Sequence, residues 1–371
     1  MIFLRLALSA LLLSATCLAA PLRVAIAGLV HGHVGGFLHG SALTPAGGLL
    51  ERSDVQLVGI AEPDRALFDI YSARDHLSPS LYFANVGDLI AHTHPDAVLV
   101  FTSTAGHTSV VEECARHGVH VLMEKPLAVS YADALRMQKA AQAGKVHVLV
   151  DYETTWYPSN KQAHDLLAGG SLGDLRKVVV HDGHQGPKRI HVSPEFFAWL
   201  TDPKLNGAGA LYDFGCYGAD LMTWLMKGAA PTTVTAVTQH LQSDIYPKVD
   251  DEANVILTYP TAVAILQASW NWPFNRKDME VYGATGYAKT LDNRALQVRE
   301  VSDHEPHSVT ATSLQPPYDD PLHYLAAVLR GEVAEQNDLS GLNTNVIVSE
   351  ILDAARRSAS SGRTVHLPLN D

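Results

Sequence analysis

Cysteine is almost missing from this 371-residue chain, which has three. Cys17 falls in the N-terminal leader described below, and Cys114 and Cys216 sit far apart in apolar, helix-forming surroundings. A disulfide-dense scaffold and a cysteine-ligated zinc site are thereby excluded. The pair reads as two small buried hydrophobes. Positive charge is also short: 27 Lys+Arg face 39 Asp+Glu, a formal net charge of −12 with histidine neutral. So acidic a chain repels phosphate backbones at long range, and no local basic patch offsets this, so nucleic acid is not an expected partner. Beyond residue 20 no apolar run is long enough to span a bilayer. Repeats, sustained heptads and disordered linkers are missing too, which excludes solenoid, coiled-coil and collagen-like designs. What is present is 47% hydrophobic and 18% charged residues, a globular composition with enough chain for two cores.

The segment Met1–Ala20 reads as an early arginine (Arg5), an apolar run and then small residues. That is the pattern of a secretory signal peptide cut after Ala19 or Ala20, which predicts a periplasmic or secreted mature protein. A misplaced start site, with a cytoplasmic chain beginning near Pro21, is the alternative; lipidation at Cys17 is weaker because Thr16 precedes it.

Five short, nearly all-apolar runs follow: Arg23–Ala27, Val55–Ala61, Ala97–Thr102, Val119–Met123 and Val146–Val150. Helix-forming segments separate them. That rhythm predicts strands buried on both faces of a parallel, doubly wound α/β sheet, a Rossmann-type domain over residues 21–150, with ligands at the strands' carboxyl ends. Residues 151–371 change rhythm. A helix over Lys161–Ala168 and an aromatic, proline-rich stretch to Ala208 lead to a helix over Leu211–Met226. Short strands from Thr233 to Arg299 come next, with two closing helices. This predicts an α+β domain with an open, mainly antiparallel sheet.

Four motifs carry candidate chemistry. Gly28-Leu-Val30-His31-Gly32-His33-Val-Gly35-Gly36 follows the first strand. It reads as an altered dinucleotide fingerprint, with Val30 and His33 where glycines usually stand, or as a structural turn. Glu62 ends the second strand, where a carboxylate accepts ribose hydroxyls and favours NAD over NADP; nearby Arg65 blurs that preference. Glu124-Lys125-Pro126 follows the fourth strand and places a lysine at the sheet's carboxyl edge. Asp213, Tyr217 and Asp220 are spaced to share one face of a helix, where they are costly to bury unless paired or used; capping is the bland alternative. His31-x-His33, His92-x-His94 and His181-x-x-His184 each lack a complete ligand set, so no metal is expected.

In this order, and with Thr102 and His107 between them, these motifs resemble the glucose–fructose oxidoreductase/inositol dehydrogenase/MocA family. The likeness extends to the closing helix and the Gly362-Arg-x-Val365 strand. It implies NAD(P) held across Gly28, Val30, His31, Gly32, His33, Glu62, Thr102, His107, Glu124 and Lys125. It also implies a sugar-like, cyclitol or diol substrate at Lys125, Asp213 and Tyr217, with His184 and Trp156 as further pocket residues. Hydride leaves a carbinol carbon while the hydroxyl proton goes to a base, and Lys125 is expected to acidify Tyr217 for that purpose. Homo-oligomerisation through the C-terminal sheet is a further implication. Export without a twin arginine sits awkwardly with freely exchanging NAD, which leaves three readings. They are a tightly held nucleotide, an NAD-dependent glycosidase or epimerase that recycles its hydride, and a sugar-binding protein without catalysis.

Overall fold

A computed structural model of the protein describes residues 20–369; the leader, apart from Ala20, lies outside them. The first sheet holds β1 (Leu22–Ala27), β2 (Val55–Ala61), β3 (Tyr82–Phe83), β4 (Ala97–Val100), β5 (His120–Glu124) and β6 (Val148–Asp151). All pair in parallel in the order β3-β2-β1-β4-β5-β6. The direction of winding reverses between β1 and β4, so the ligand crevice of such a sheet falls beside Gly28 and Thr102. Val24–Ala27 and Ala97–Val100 are all but fully buried, as strands covered on both faces must be. The two-residue β3 has too few residues to leave an apolar run in the sequence.

The second sheet has nine strands: β7 (Leu175–Gly183), β8 (Thr233–Gln239), β9 (Glu252–Thr258), β10 (Val263–Ser269), β11 (Arg276–Gly283), β12 (Tyr287–Thr290), β13 (Ala295–Arg299), β14 (His307–Thr310) and β15 (Val365–His366). Their order is β14-β13-β12-β11-β7-β10-β9-β8-β15, antiparallel except for the parallel pair β7 and β10. Two local features depart from expectation. The helix foreseen over Leu211–Met226 is broken at Phe214 into Ala210–Asp213 and Gly215–Leu225. The stretch before Ala208 contains helices Pro194–Leu200 and Pro203–Asn206, each with proline in its first turn and a side-chain cap from Ser193 or Asp202. Those are ordinary helix starts, masked in the sequence by the aromatics around them.

The chain crosses between the sheets more than once. Helix Pro321–Leu329 contributes Leu322, Leu325 and Val328 to the apolar core that covers one face of the first sheet. Asp320, which caps it, is fully buried and bonds the Arg52 guanidinium at 2.6 Å.

Candidate active site

Lys125 emerges directly after β5, and its ammonium meets Asp213 at the end of the one-turn helix Ala210–Asp213. Nζ donates to Oδ1 at 2.5 Å and to the Asp213 carbonyl at 3.0 Å. The indole N–H of Trp270 donates to Oδ2 at 2.9 Å, so both carboxylate oxygens are held. The turn that presents Asp213 is itself fixed by Asp250, which accepts the N–H groups of Gly209 at 2.8 Å and Leu211 at 2.7 Å. A Cβ on Gly209 would lie 1.8 Å from the Asp250 carbonyl oxygen, so only glycine fits there. Burial raises the Asp213 carboxyl and lowers the Lys125 ammonium, but each partner's charge outweighs this. Asp213 ends below, and Lys125 above, its ordinary range.

Tyr217 lies one turn into helix Gly215–Leu225, buried at 2% exposure and packed edge-on against Tyr152. Lys125 and Lys277 each place Nζ 5.3 Å from its ring centre, within cation–π reach. The expected acidification of Tyr217 by Lys125 is not what this geometry produces. The ammonium is spent on Asp213 and sits against the ring. Burial first, then the Glu153 carboxylate, push the phenol well above its ordinary value. Tyr217 is therefore a neutral donor at physiological pH.

Three polar residues of this centre carry no sequence motif. Glu153 is ion-paired with Lys277 and hydrogen-bonded by the Tyr157 hydroxyl. Asp182 on β7 stands opposite Lys277 on β11. It is buried, its Oδ1 has no hydrogen-bond partner, and burial holds its carboxyl well above the usual range. A cavity of about 380 Å³ opens onto Glu153 and Lys277. His184 joins the same centre, edge-on to Phe214 at 4.8 Å. Burial lowers it to about 4, and its Nδ1 accepts the Gly186 N–H at 2.9 Å, so the neutral ring keeps its proton on Nε2. Trp156 does not join them: its indole N–H bonds Asp151 at 2.8 Å and its ring packs edge-on against Tyr324. Asp220 is fully buried with both oxygens unpartnered.

The glycine loop tests the fit of a dinucleotide. Gly28 has φ +85°, and a Cβ there would meet Thr102 Cγ2 at 2.7 Å, the tight turn such a cradle needs. His107 is buried and burial lowers it to about 4; Nδ1 contacts the carbonyls of Pro126 and Leu127, and Nε2 is left without a partner. An orphaned acceptor beside Lys125 suits the hydroxyls or carboxamide of a bound nucleotide. Glu62 departs from expectation. Its carboxylate is 2% exposed and accepts the N–H groups of Leu29 at 2.8 Å and Asp64 at 2.9 Å, because a buried carboxylate must be satisfied. Arg65 is held by Asp69 and lies over the Tyr82 ring. Phe196 and Trp199 cover the loop. A Cβ on Gly32 would meet the Phe196 ring at 3.0 Å, and the Trp199 indole N–H bonds the Val30 carbonyl. The residues thus fit a dinucleotide at the turn and at the nicotinamide end, with an aromatic helix closed over the middle.

His31 and His33 gain a third possible metal donor in Glu124, which sequence spacing could not show. Hydrogen bonding opposes that use. His31 Nδ1 accepts the His33 N–H at 3.2 Å, which leaves the ring proton on Nε2, 3.8 Å from Glu124. His33 meets the same carboxylate at 2.8 Å. Metal-bound histidines more often donate from their second nitrogen.

A doubly wound sheet with a glycine turn at its switch point, whose Lys125 meets Asp213 and Tyr217 from helices of the second domain, defines a two-domain nicotinamide-dependent dehydrogenase architecture. Residues 22–152 match the model of the oxidoreductase family with an NAD-binding Rossmann fold, and residues 160–289 match the GFO/IDH/MocA C-terminal domain. The chain belongs to the Gfo/Idh/MocA oxidoreductase family. It is 28% identical over 247 residues to trans-1,2-dihydrobenzene-1,2-diol dehydrogenase of Sus scrofa, 66% of this chain and 68% of that protein. It is 29% identical over 190 residues to the rhizopine catabolism protein MocA of Rhizobium meliloti, 51% of this chain and 54% of that protein. The chain thus spans about half to two thirds of these relatives' length. In fold it matches an inositol dehydrogenase homolog complexed with NAD+ from Azotobacter vinelandii, at a TM-score of 0.78 and 19% identity, over 94% of this chain and 98% of that one.

Proposed function

We propose that this protein is an exported NAD(P)-dependent oxidoreductase that moves hydride between nicotinamide and a carbinol carbon of a sugar-like, cyclitol or diol substrate. The observation that carries the reading is the Lys125–Asp213–Trp270 lock beneath Tyr217, at the carboxyl end of β5. A bound nicotinamide supplies the hydride acceptor. His107 would hold the nicotinamide end of the dinucleotide and the Gly28 turn would cradle its middle, under Phe196 and Trp199. Lys125, kept charged by Asp213, draws electron density from a substrate oxygen. Neutral Tyr217 gives its proton to that oxygen when a carbonyl is reduced, and in the reverse direction takes the hydroxyl proton as its own moves on to a carboxylate. Lys125 holds Asp213 below its ordinary range, whereas Asp182 is raised by burial and stands with a free Oδ1 opposite Lys277, which itself lies against the Tyr217 ring. We therefore assign Asp182 as the proton's final station. The diol dehydrogenase and inositol dehydrogenase relatives support the substrate class by name, and the leader pattern supports export.

The covered glycine loop favours a nucleotide that travels with the protein. Native mass spectrometry of protein from the exported fraction should show a retained dinucleotide and a mature N-terminus at Ala20 or Pro21. Absorbance of reduced nicotinamide, followed across aldoses, cyclitols and vicinal diols, should reveal turnover that Lys125→Ala abolishes. Absence of any dinucleotide, retained or titrated, would overturn the enzyme reading in favour of a sugar-binding protein.

A further inference from the structure

A second cavity, of about 550 Å³, lies between the start of helix Pro158–Ala168, the end of helix Gly215–Leu225 and the loop before Pro321. Lys125, Asp213, Tyr217 and His184 take no part in its wall. Trp224 and His164 form one side, their rings stacked at 4.0 Å and 15°. Tyr318, 45% exposed, leans toward Tyr324 on the other. The positive charge in the wall is already spent, and its acids are hydrogen-bonded. Lys161 bonds both oxygens of Asp165 at 2.6 and 2.7 Å, and Asp338 accepts the Tyr324 hydroxyl at 2.7 Å and the Leu339 N–H at 2.9 Å. Unspent hydrogen-bonding capacity includes the Thr155 hydroxyl, buried in the wall without a partner.

Flat aromatic faces beside uncharged donors and acceptors suit a ligand with an apolar C–H face and a rim of hydroxyls. An anionic ligand would find no free counter-charge, because the only lysine in the wall is paired with Asp165. The volume lies within the range of small-molecule sites, roughly 300–1,000 Å³. We infer that this cavity binds a neutral pyranoside, of one or two sugar units, as a site separate from the redox centre. The inference rests on the cavity's own chemistry and stands whether or not the protein turns over.

Saturation-transfer NMR with methyl β-D-glucopyranoside and with cellobiose tests it, using the mature chain. Both sugars should receive saturation on their ring C–H face. Trp224→Ala and Tyr318→Ala should each weaken binding up to about tenfold, the scale of one lost ring contact, while Tyr217→Phe leaves it unchanged. Tyr318 is surface-exposed, so its variant reports on binding even if Trp224→Ala fails to fold. The assignment is overturned if neither sugar binds, if both cavity variants bind as wild type, or if Tyr217→Phe abolishes the signal. Displacement of the sugars by catechol at lower concentration would overturn the sugar class in favour of an apolar aromatic ligand.

Discussion

Replacing Asp213 by asparagine isolates the charge at the centre of this site. The side chain keeps its shape, and its amide oxygen can still accept from Trp270, but the Lys125 ammonium loses its counter-ion. Side-chain exposures of 7% for Lys125 and 6% for Asp213 mean that solvent cannot substitute. Leaving one member of such a buried pair alone costs about 3–5 kcal/mol. Asp213→Ala would add about 1–3 kcal/mol for the orphaned Trp270 N–H, close to the whole stability of many domains. Asparagine is thus the informative change. The sign of its pH dependence follows from the two shifts. In the wild type, Asp213 is lowered, so its contribution is lost as pH falls through its folded pKa. Lys125 is raised, so its contribution is lost as pH climbs through its own. Between roughly pH 5 and 9 the pair's contribution is flat. In the asparagine variant burial acts on Lys125 against only the weaker pull of groups such as Glu124, and should drive its pKa below the unfolded value. The penalty then operates at low and neutral pH and fades as pH rises toward lysine's ordinary pKa of about 10.4. Urea denaturation followed by tryptophan fluorescence, at intervals from pH 6 to about 10, should show a deficit that shrinks steadily upward. A variant as stable as wild type at neutral pH, or a deficit that ignores pH, would refute the buried-pair argument.

Asp182→Asn should combine slower turnover with greater stability. A raised carboxyl pKa means the wild type loses stability as pH rises from about 4 through the folded value, so the variant's advantage in thermal melts should widen with pH. Tyr217→Phe should leave melting within a degree or so of wild type while removing most turnover, since a neutral phenol contributes its proton and little else; undiminished rates would remove it from the chemistry. Gly28→Ala forces a Cβ into Thr102 at positive φ and should cost at least about 1–2 kcal/mol, with weakened dinucleotide binding measured by nucleotide fluorescence titration.

The parts of this molecule legible in the sequence are those encoded locally. Buried parallel strands announce themselves as apolar runs, and the positions of Lys125, Asp213 and Tyr217 follow from short motifs beside them. Glu153, Asp182, Lys277 and Trp270 come from four elements, and only the register of β7 against β11 sets Asp182 opposite Lys277. Nothing in linear spacing records that register. Trp270 belongs to an aromatic stretch whose spacing gives no sign of its partner, and in the fold its indole N–H fixes the Asp213 carboxylate. The start of helix Ala210–Asp213 has the same origin: Asp250, distant in sequence, accepts the N–H groups of Gly209 and Leu211 there. Trp156 fails as a pocket residue of the redox centre for a complementary reason. An indole near a crevice in sequence turns away from it once Asp151 offers an acceptor.

Helix Pro321–Leu329, pinned by Asp320 to Arg52, ties the end of the chain back onto its beginning. Beyond the chain's own crossings, the two domains thus share a buried ion pair and an apolar seam that any opening between them would have to break. A nucleotide bound as proposed would lie beneath the short helix carrying Phe196 and Trp199, which would have to lift before it could leave.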